Sequence, residues 1–209
     1  AKMSPISHRH HRFVAGTRDW HKLIQASIVR VAKSTGAHLI DFYNPLLPYP
    51  QMLPDGLHPN KAGAGVLARV VYQALTGNYG GLKMPMVFSD NMVVRRERNF
   101  EVYGTANAGQ VVTGSFGNDK TSTVTKNDGT WRLLFAAPRM GKTYTLTVTS
   151  EKRTLKFKNI VAGEVWLCSG QSNMAFPLAS DEQGKEALAI ADDPNLRVLN
   201  MVPRWDTDN

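Results

Sequence analysis

Along the 209 residues, the spacing of hydrophobic and polar positions changes twice. From Thr17 onward Trp20, Leu23, Ile24, Ile28 and Val31 recur at helical spacing, which predicts a helix with one apolar face, opened by Thr17 as N-cap and closed by Gly36. His38-Leu39-Ile40-Asp41 reads as a short strand, and the prolines of Asn44-Pro45 and Leu47-Pro48-Tyr49-Pro50 force a long loop. Asn60 then caps a second helix that carries Val66, Leu67, Val70, Val71, Ala74 and Leu75 on its buried side and stops at Gly77.

After Gly77-Asn78-Tyr79-Gly80-Gly81 the period drops to two. In the run from Thr143 to Thr149 apolar residues fall on one face and threonines on the other, as in a half-buried strand. Trp131, Leu133 and Phe135 repeat the alternation after Asn127-Asp128-Gly129, a hairpin-turn sequence in which glycine accepts positive φ. Phe100/Val102, Val112/Phe116, Val124 and Leu155/Phe157 add strands at the spacing of a small β-sandwich over 80–160, with 159–163 as its closing linker. Beyond it, Glu164 to Cys168 reads as a compact buried strand running into the tight turn Ser169-Gly170-Gln171-Ser172-Asn173-Met174. An acidic helix from Gln183 to Ala191 and a strand from Asn195 to Leu199 follow. The fold class is thus mixed, with α/β segments flanking an all-β module.

Composition narrows the picture little. Hydrophobic residues at 42% and charged residues at 20%, with a mean hydropathy of -0.29, are ordinary globular values. No run approaches the roughly 18–20 apolar residues of a bilayer span, so no membrane partner is expected. The net charge of +8 would suit an acidic partner. Its distribution argues otherwise: 1–79 carry 9 basic and 3 acidic groups, 80–160 carry 13 and 6, and 161–209 carry 3 and 8. The tight cluster Arg95-Arg96-Glu97-Arg98 lacks the interleaved aromatics that stack bases, so nucleic acid is not expected either. One cysteine, Cys168, excludes an intrachain disulfide; it and Trp166 read as core residues of the predicted strand. His8, His10 and His11 are close in sequence, but no carboxylate or further histidine follows at ligand spacing, and solvated loop histidines are the simpler reading.

Two segments could carry chemistry. In Pro54-Asp55-Gly56-Leu57-His58-Pro59-Asn60, three residues across a turn can bring the Asp55 carboxylate to the His58 ring, fixing the tautomer and steadying an imidazolium; alternatively Asp55 starts an Asx-turn and His58 is an ordinary loop residue. In Gly170-Gln171-Ser172-Asn173-Met174, a serine after an apolar strand can present Oγ with its own N–H aimed into the same space; a polar turn with Ser172 capping a helix is the alternative.

Together the two segments resemble the SGNH (GDSL-like) hydrolases, and residues 80–209 look like the start of a sialate O-acetylesterase, on the long block from Gly163-Glu164-Val165-Trp166 through Met174. The resemblance implies a serine esterase that removes O-acetyl groups from sialic acid or a related acetylated glycan, without metal or cofactor, in the periplasm or secreted. It makes Ser172 the nucleophile, His58 the general base, Asp55 its orienting partner, and Ser172 with Asn173 the elbow and oxyanion element. In that family the serine block opens the domain and the Asp-x-x-His block closes it, whereas here His58 precedes Ser172. The order implies that 1–79 are the C-terminal part of one SGNH domain, 80–160 a β-sandwich, and 161–209 the N-terminal part of a second, in a longer two-esterase polypeptide. Circular permutation or pairing with a second chain would instead unite both motifs in one site. The Gly and Asn blocks that furnish further oxyanion donors are not found, and Gly117-Asn118-Asp119 lies in the β-module. A non-enzymatic reading makes that module a glycan-binding or spacer unit with inert flanks.

Overall fold

The computed structural model describes residues 2–6 and 14–199, and the chain divides into two compact units, Ala1–Tyr79 and Gly80–Arg204. His8, His10 and His11 lie outside the described residues. Among the described residues no helix is long and apolar enough to cross a membrane.

The first unit holds helix α1 (Thr17–Thr35) and helix α2 (Lys61–Thr76). Gly36 and Gly77 close them in the left-handed conformation, at φ 69 and 66. Asn60 caps α2 as expected, its side-chain oxygen accepting from the Gly63 N–H at 3.0 Å. At α1 the N-cap is Gly16, and Thr17 is the first helical residue, its hydroxyl accepting from Val14 N–H at 3.2 Å.

On α1 the covered side is the polar one. His21 and Gln25 are its buried residues, while Trp20, Leu23 and Val31 are 60%, 68% and 61% exposed. The Gln25 amide pairs with both backbone groups of Met3, accepting at 3.1 Å and donating at 2.8 Å, and so docks the segment before the helix onto its polar side. His21 contacts Gln25 at 3.1 Å and the Tyr43 ring at 5.9 Å between centroids. On α2, likewise, Val66, Leu67, Val70, Val71 and Ala74 are half-buried and Leu75 faces outward. Among the described residues of this unit there is no strand to receive these faces. The expected strand at 38–41 is reduced to one bridge between Asp41 and Lys2, because the Asp41 carboxylate accepts from Tyr43 and Asn44 N–H and turns the chain at once.

Among the described residues the second unit contains seven strands: β1 (Val93–Arg95), β2 (Phe100–Thr105), β3 (Val111–Phe116), β4 (Asp119–Val124), β5 (Thr130–Phe135), β6 (Thr143–Ser150) and β7 (Arg153–Gly163). Five form a sheet in the order β1-β7-β6-β3-β4, parallel at β1/β7 and antiparallel elsewhere; β2 and β5 pair as an antiparallel ribbon. The turn at 127–129 forms as expected, with Lys126 N–H on the Thr130 carbonyl, yet β5 pairs with β2 rather than with β4. Residues 159–163, expected as a linker, are the end of β7.

The alternation puts Val102, Trp131, Leu133 and Phe135 of the ribbon against Val112, Phe116, Leu146, Val148 and Ile160 of the sheet in one core. Each such side chain, fully buried, stabilises by about 1.5–3 kcal/mol. Two glycines set the closeness. A Cβ on Gly114 would lie 2.5 Å from Leu133 and 2.9 Å from Phe135, and one on Gly104 would run into the Lys83 carbonyl and the Trp131 ring.

After β7 the expected elements shrink. Glu164 to Cys168 form no strand: Val165, Trp166 and Leu167 are 57%, 83% and 93% exposed, and Cys168 is exposed. The apolar run lacks a ladder to join, so its hydrophobicity alone does not bury it, and neither Trp166 nor Cys168 is a core residue. Helix α3 (Ser172–Ala175) and helix α4 (Gly184–Ala189) are short, and 195–199 form no strand.

Two outcomes follow. Gly114→Ala is expected to destabilise the second unit by roughly 1–3 kcal/mol through overpacking, read as a lower denaturant midpoint. Burial holds the His21 pKa below its ordinary value, partly offset by a hydrogen bond with the Ser4 backbone. Because the folded value lies below the unfolded one, stability is fully present above about pH 6.5 and is lost as pH falls toward the folded pKa. The α1 amides should therefore exchange faster at pH 5 than expected from chemical rate alone, and His21→Gln should flatten that dependence.

Candidate active site

The Asp55 loop is built by its own backbone. Gly56 takes φ 80, which lets the chain fold back so that Asp55 Oδ1 accepts from Leu57 N–H at 2.9 Å and His58 N–H at 2.7 Å. That is the Asx-turn alternative. The second carboxylate oxygen also reaches His58 Nδ1 at 2.6 Å, so the turn and the ring contact occur together.

The bonds define the electrostatics. The His58 backbone N–H, then the His58 ring, then the Leu57 N–H hold the Asp55 carboxyl well below the usual carboxylate range. An ionised carboxylate only accepts, so Nδ1 carries the proton and Nε2 is the proton-accepting nitrogen of the neutral ring. His58 is exposed and Asp55 half-exposed, so a reacting group can approach the imidazole from solvent. Asn60, two residues on, caps α2 and fixes the loop to a helix. An open apolar groove of about 420 Å³ along α1, lined by residues including Ile24, Ile28, Val31 and Leu39, contains neither Asp55 nor His58.

Ser172 and Asn173 belong to the other unit. Gln171 is the N-cap of α3, its carbonyl accepting from Met174 N–H at 3.0 Å and Ala175 N–H at 3.1 Å. Ser172 and Asn173 are thus first-turn residues whose amides have no partner four residues back. Both are exposed. Gly170 sits where a Cβ would be 3.1 Å from that of Met174, so a larger residue would crowd the turn. The structure thus joins Asp55 to His58, while Ser172 and Asn173 share a separate turn.

One long-range tie escaped the sequence. Arg96, read there as part of a basic cluster, donates to the Glu164 carboxylate at 2.5 Å, 68 residues away. Charge of opposite sign at that separation leaves no local signal.

No protein-family model matches the chain. A solved structure of a carbohydrate acetylesterase from Xanthomonas citri is similar to it, with a TM-score of 0.51 and 28% identity, covering 54% of this chain and 26% of that one. The sialate O-acetylesterase of Rattus norvegicus is 28% identical over 120 residues, covering 52% of this chain and 22% of the rat protein. The chain spans about a quarter of the length of these relatives. The resemblance read from the motifs is thus found in both sequence and fold, over part of the chain.

The Asp55 geometry makes a titration outcome specific. The carboxyl should titrate by NMR well below the ordinary value near 3.9. Since its folded pKa is depressed, the loop's contribution is fully present above that value and lost as pH falls through the folded one. Replacing His58 with alanine should move the Asp55 midpoint back upward; an unmoved midpoint would contradict the ring contact.

Proposed function

We propose that the chain serves in the serine-dependent removal of O-acetyl groups from a carbohydrate, with sialic acid as the acetylated sugar. The 2.6 Å contact between Asp55 and His58 carries the reading, since it prepares Nε2 as a base. The names of the two relatives supply the substrate class. In each SGNH-type site a serine Oγ attacks the acetyl carbonyl while a histidine Nε2 takes its proton: Ser172 is the nucleophile of one such site, with the Ser172 and Asn173 N–H groups donating to the oxyanion, and His58 is the base of another. The proton passes to the departing sugar oxygen, and water, deprotonated by the same base, releases acetate from the acyl-serine. Asp55 orients the ring throughout. No step calls for a metal or cofactor.

The order of the motifs supports two catalytic domains of SGNH type, one closing over 1–79 and one opening over 161–209, with 80–160 as the β-sandwich between them. The remaining oxyanion donors then come from another part of the same polypeptide or from a second chain. A periplasmic or secreted location fits an acetylated glycan substrate.

A second reading, a glycan-binding or spacer module without turnover, draws on the closed core of the β unit beside the exposed 164–199. Acetate release from O-acetylated sialic acid separates the two. With the polypeptide or second chain that supplies the remaining donors present, we expect release, lowered roughly a thousandfold or more by Ser172→Ala at the site it opens and by His58→Ala at the site it closes; sugar binding with no acetate above buffer would overturn the esterase reading. A serine-directed phosphonate adduct on Ser172 that vanishes in His58→Ala would unite the two residues in one site, and an adduct indifferent to His58 would assign them to two.

A further inference from the structure

The β unit does more than stand beside the Ser172 turn. Residues 165–196 hydrogen-bond locally among the described residues, and their apolar side chains are largely exposed: Trp166, Leu167 and Ile190 are 83%, 93% and 85% accessible. Such a segment has little core of its own to hold it. It is nevertheless tied at both ends to one edge of the five-stranded sheet.

At the first end, Arg96, just past β1, donates from Nε to the Glu164 carboxylate at 2.5 Å, and its backbone N–H bonds to the Gly163 carbonyl at 3.1 Å. At the far end, Arg197 enters a receptor made by two asparagines in the left-handed region, Asn91 at φ 63 and Asn159 at φ 54. Asn159 lies where β7 bulges, two of its residues facing the single Thr145 between the Tyr144/Ile160 and Leu146/Phe157 pairs. Asn91 lies opposite, its N–H on the Lys158 carbonyl and its side-chain oxygen accepting from the Asn159 amide at 2.6 Å. Arg197 Nη1 donates to the Asn91 carbonyl at 3.1 Å and the Asn159 carbonyl at 2.5 Å, and Nη2 to the Asn159 side-chain oxygen at 3.3 Å. A planar guanidinium fork suits three converging oxygens, and bonds from a cationic donor are the stronger kind.

We infer that Arg96 and Arg197 are positioning residues that clasp 164–197 to the β1/β7 edge, so that the β unit is the scaffold on which the Gly170–Met174 turn is presented. The inference rests on the esterase reading only for its catalytic meaning; the clasp itself is a matter of geometry. Neither arginine is assigned contact with substrate. Backbone strain at two left-handed asparagines, which a plain strand would avoid, shapes the receptor.

Cys168, the one cysteine of the chain and exposed, gives the test a native handle. Spin labels at Cys168 and at an introduced Ser122→Cys, on the exposed part of β4, report the distance from segment to sheet in the full chain without substrate. We expect one narrow distance distribution, widened at least about twofold by Arg197→Ala or Arg96→Ala as the segment opens locally. Arg132→Ala removes an ion pair with Glu101 on the β2/β5 ribbon and should leave it narrow. Arg197→Lys, which keeps a cation within reach of the two carbonyls, should restore most of the narrowness. A distribution unchanged in the Arg96→Ala, Arg197→Ala double variant, or one as broad in the parent protein, would overturn the clasp. Should that double variant fail to fold, Arg197→Gln is compared in the same way. Because no turnover is measured, an inactive Ser172 would defeat the esterase reading and leave the clasp standing.

Discussion

The approach of the β2/β5 ribbon to the five-stranded sheet is the constraint on which the second unit rests. Gly114 lacks the Cβ that would strike Leu133 and Phe135, and Gly104 lacks the one that would strike Trp131 and the Lys83 carbonyl. With both gaps open, Trp131, Leu133 and Phe135 reach Val112, Leu146 and Val148 and close a single core. That closure fixes the direction of β7, and β7 in turn pairs with β1, bulges at Asn159 and leads directly to Glu164. The segment bearing Ser172 therefore begins from a paired edge of the sheet.

The two candidate chemical elements are made in different ways. Asp55 and His58 are organised by local geometry: one carboxylate satisfies two backbone amides and a ring nitrogen within four residues, so the turn and the Asp55–His58 contact are the same object. The Ser172 turn has no comparable internal frame. Its short helix is capped by the Gln171 carbonyl alone, and its anchorage comes from arginines 76 residues before and 25 after. The similarity to carbohydrate acetylesterases covers about half of this chain and about a quarter of those proteins, so the functional reading leans on this chemistry as much as on the likeness.

Helix and strand positions were legible where periodicity was strong, as at α1, α2, β5 and β6, because that signal is local, although at α1 the N-cap fell on Gly16 rather than Thr17. The same reasoning failed where burial depends on a partner. Leu75, placed on the buried side of α2, faces outward, and on α1 Gln25 finds both backbone groups of Met3 and turns the polar side inward. Val165, Trp166 and Leu167 have the composition of a buried strand, but no strand among the described residues pairs with them, and they are exposed. Hydrophobicity states what a residue gains from burial; only the rest of the fold offers the place.

By itself, the sequence determined the Asp55/His58 pair, the capping of α2 and the alternation that builds the β core, since each depends on residues within a few positions of one another. Tertiary structure alone decided that β5 pairs with β2, that Gly104 and Gly114 admit close packing, and that Arg96 and Arg197 hold 164–197 to the sheet. Those pairings join residues tens of positions apart, and the free energy of such contacts depends on geometry that no local pattern encodes.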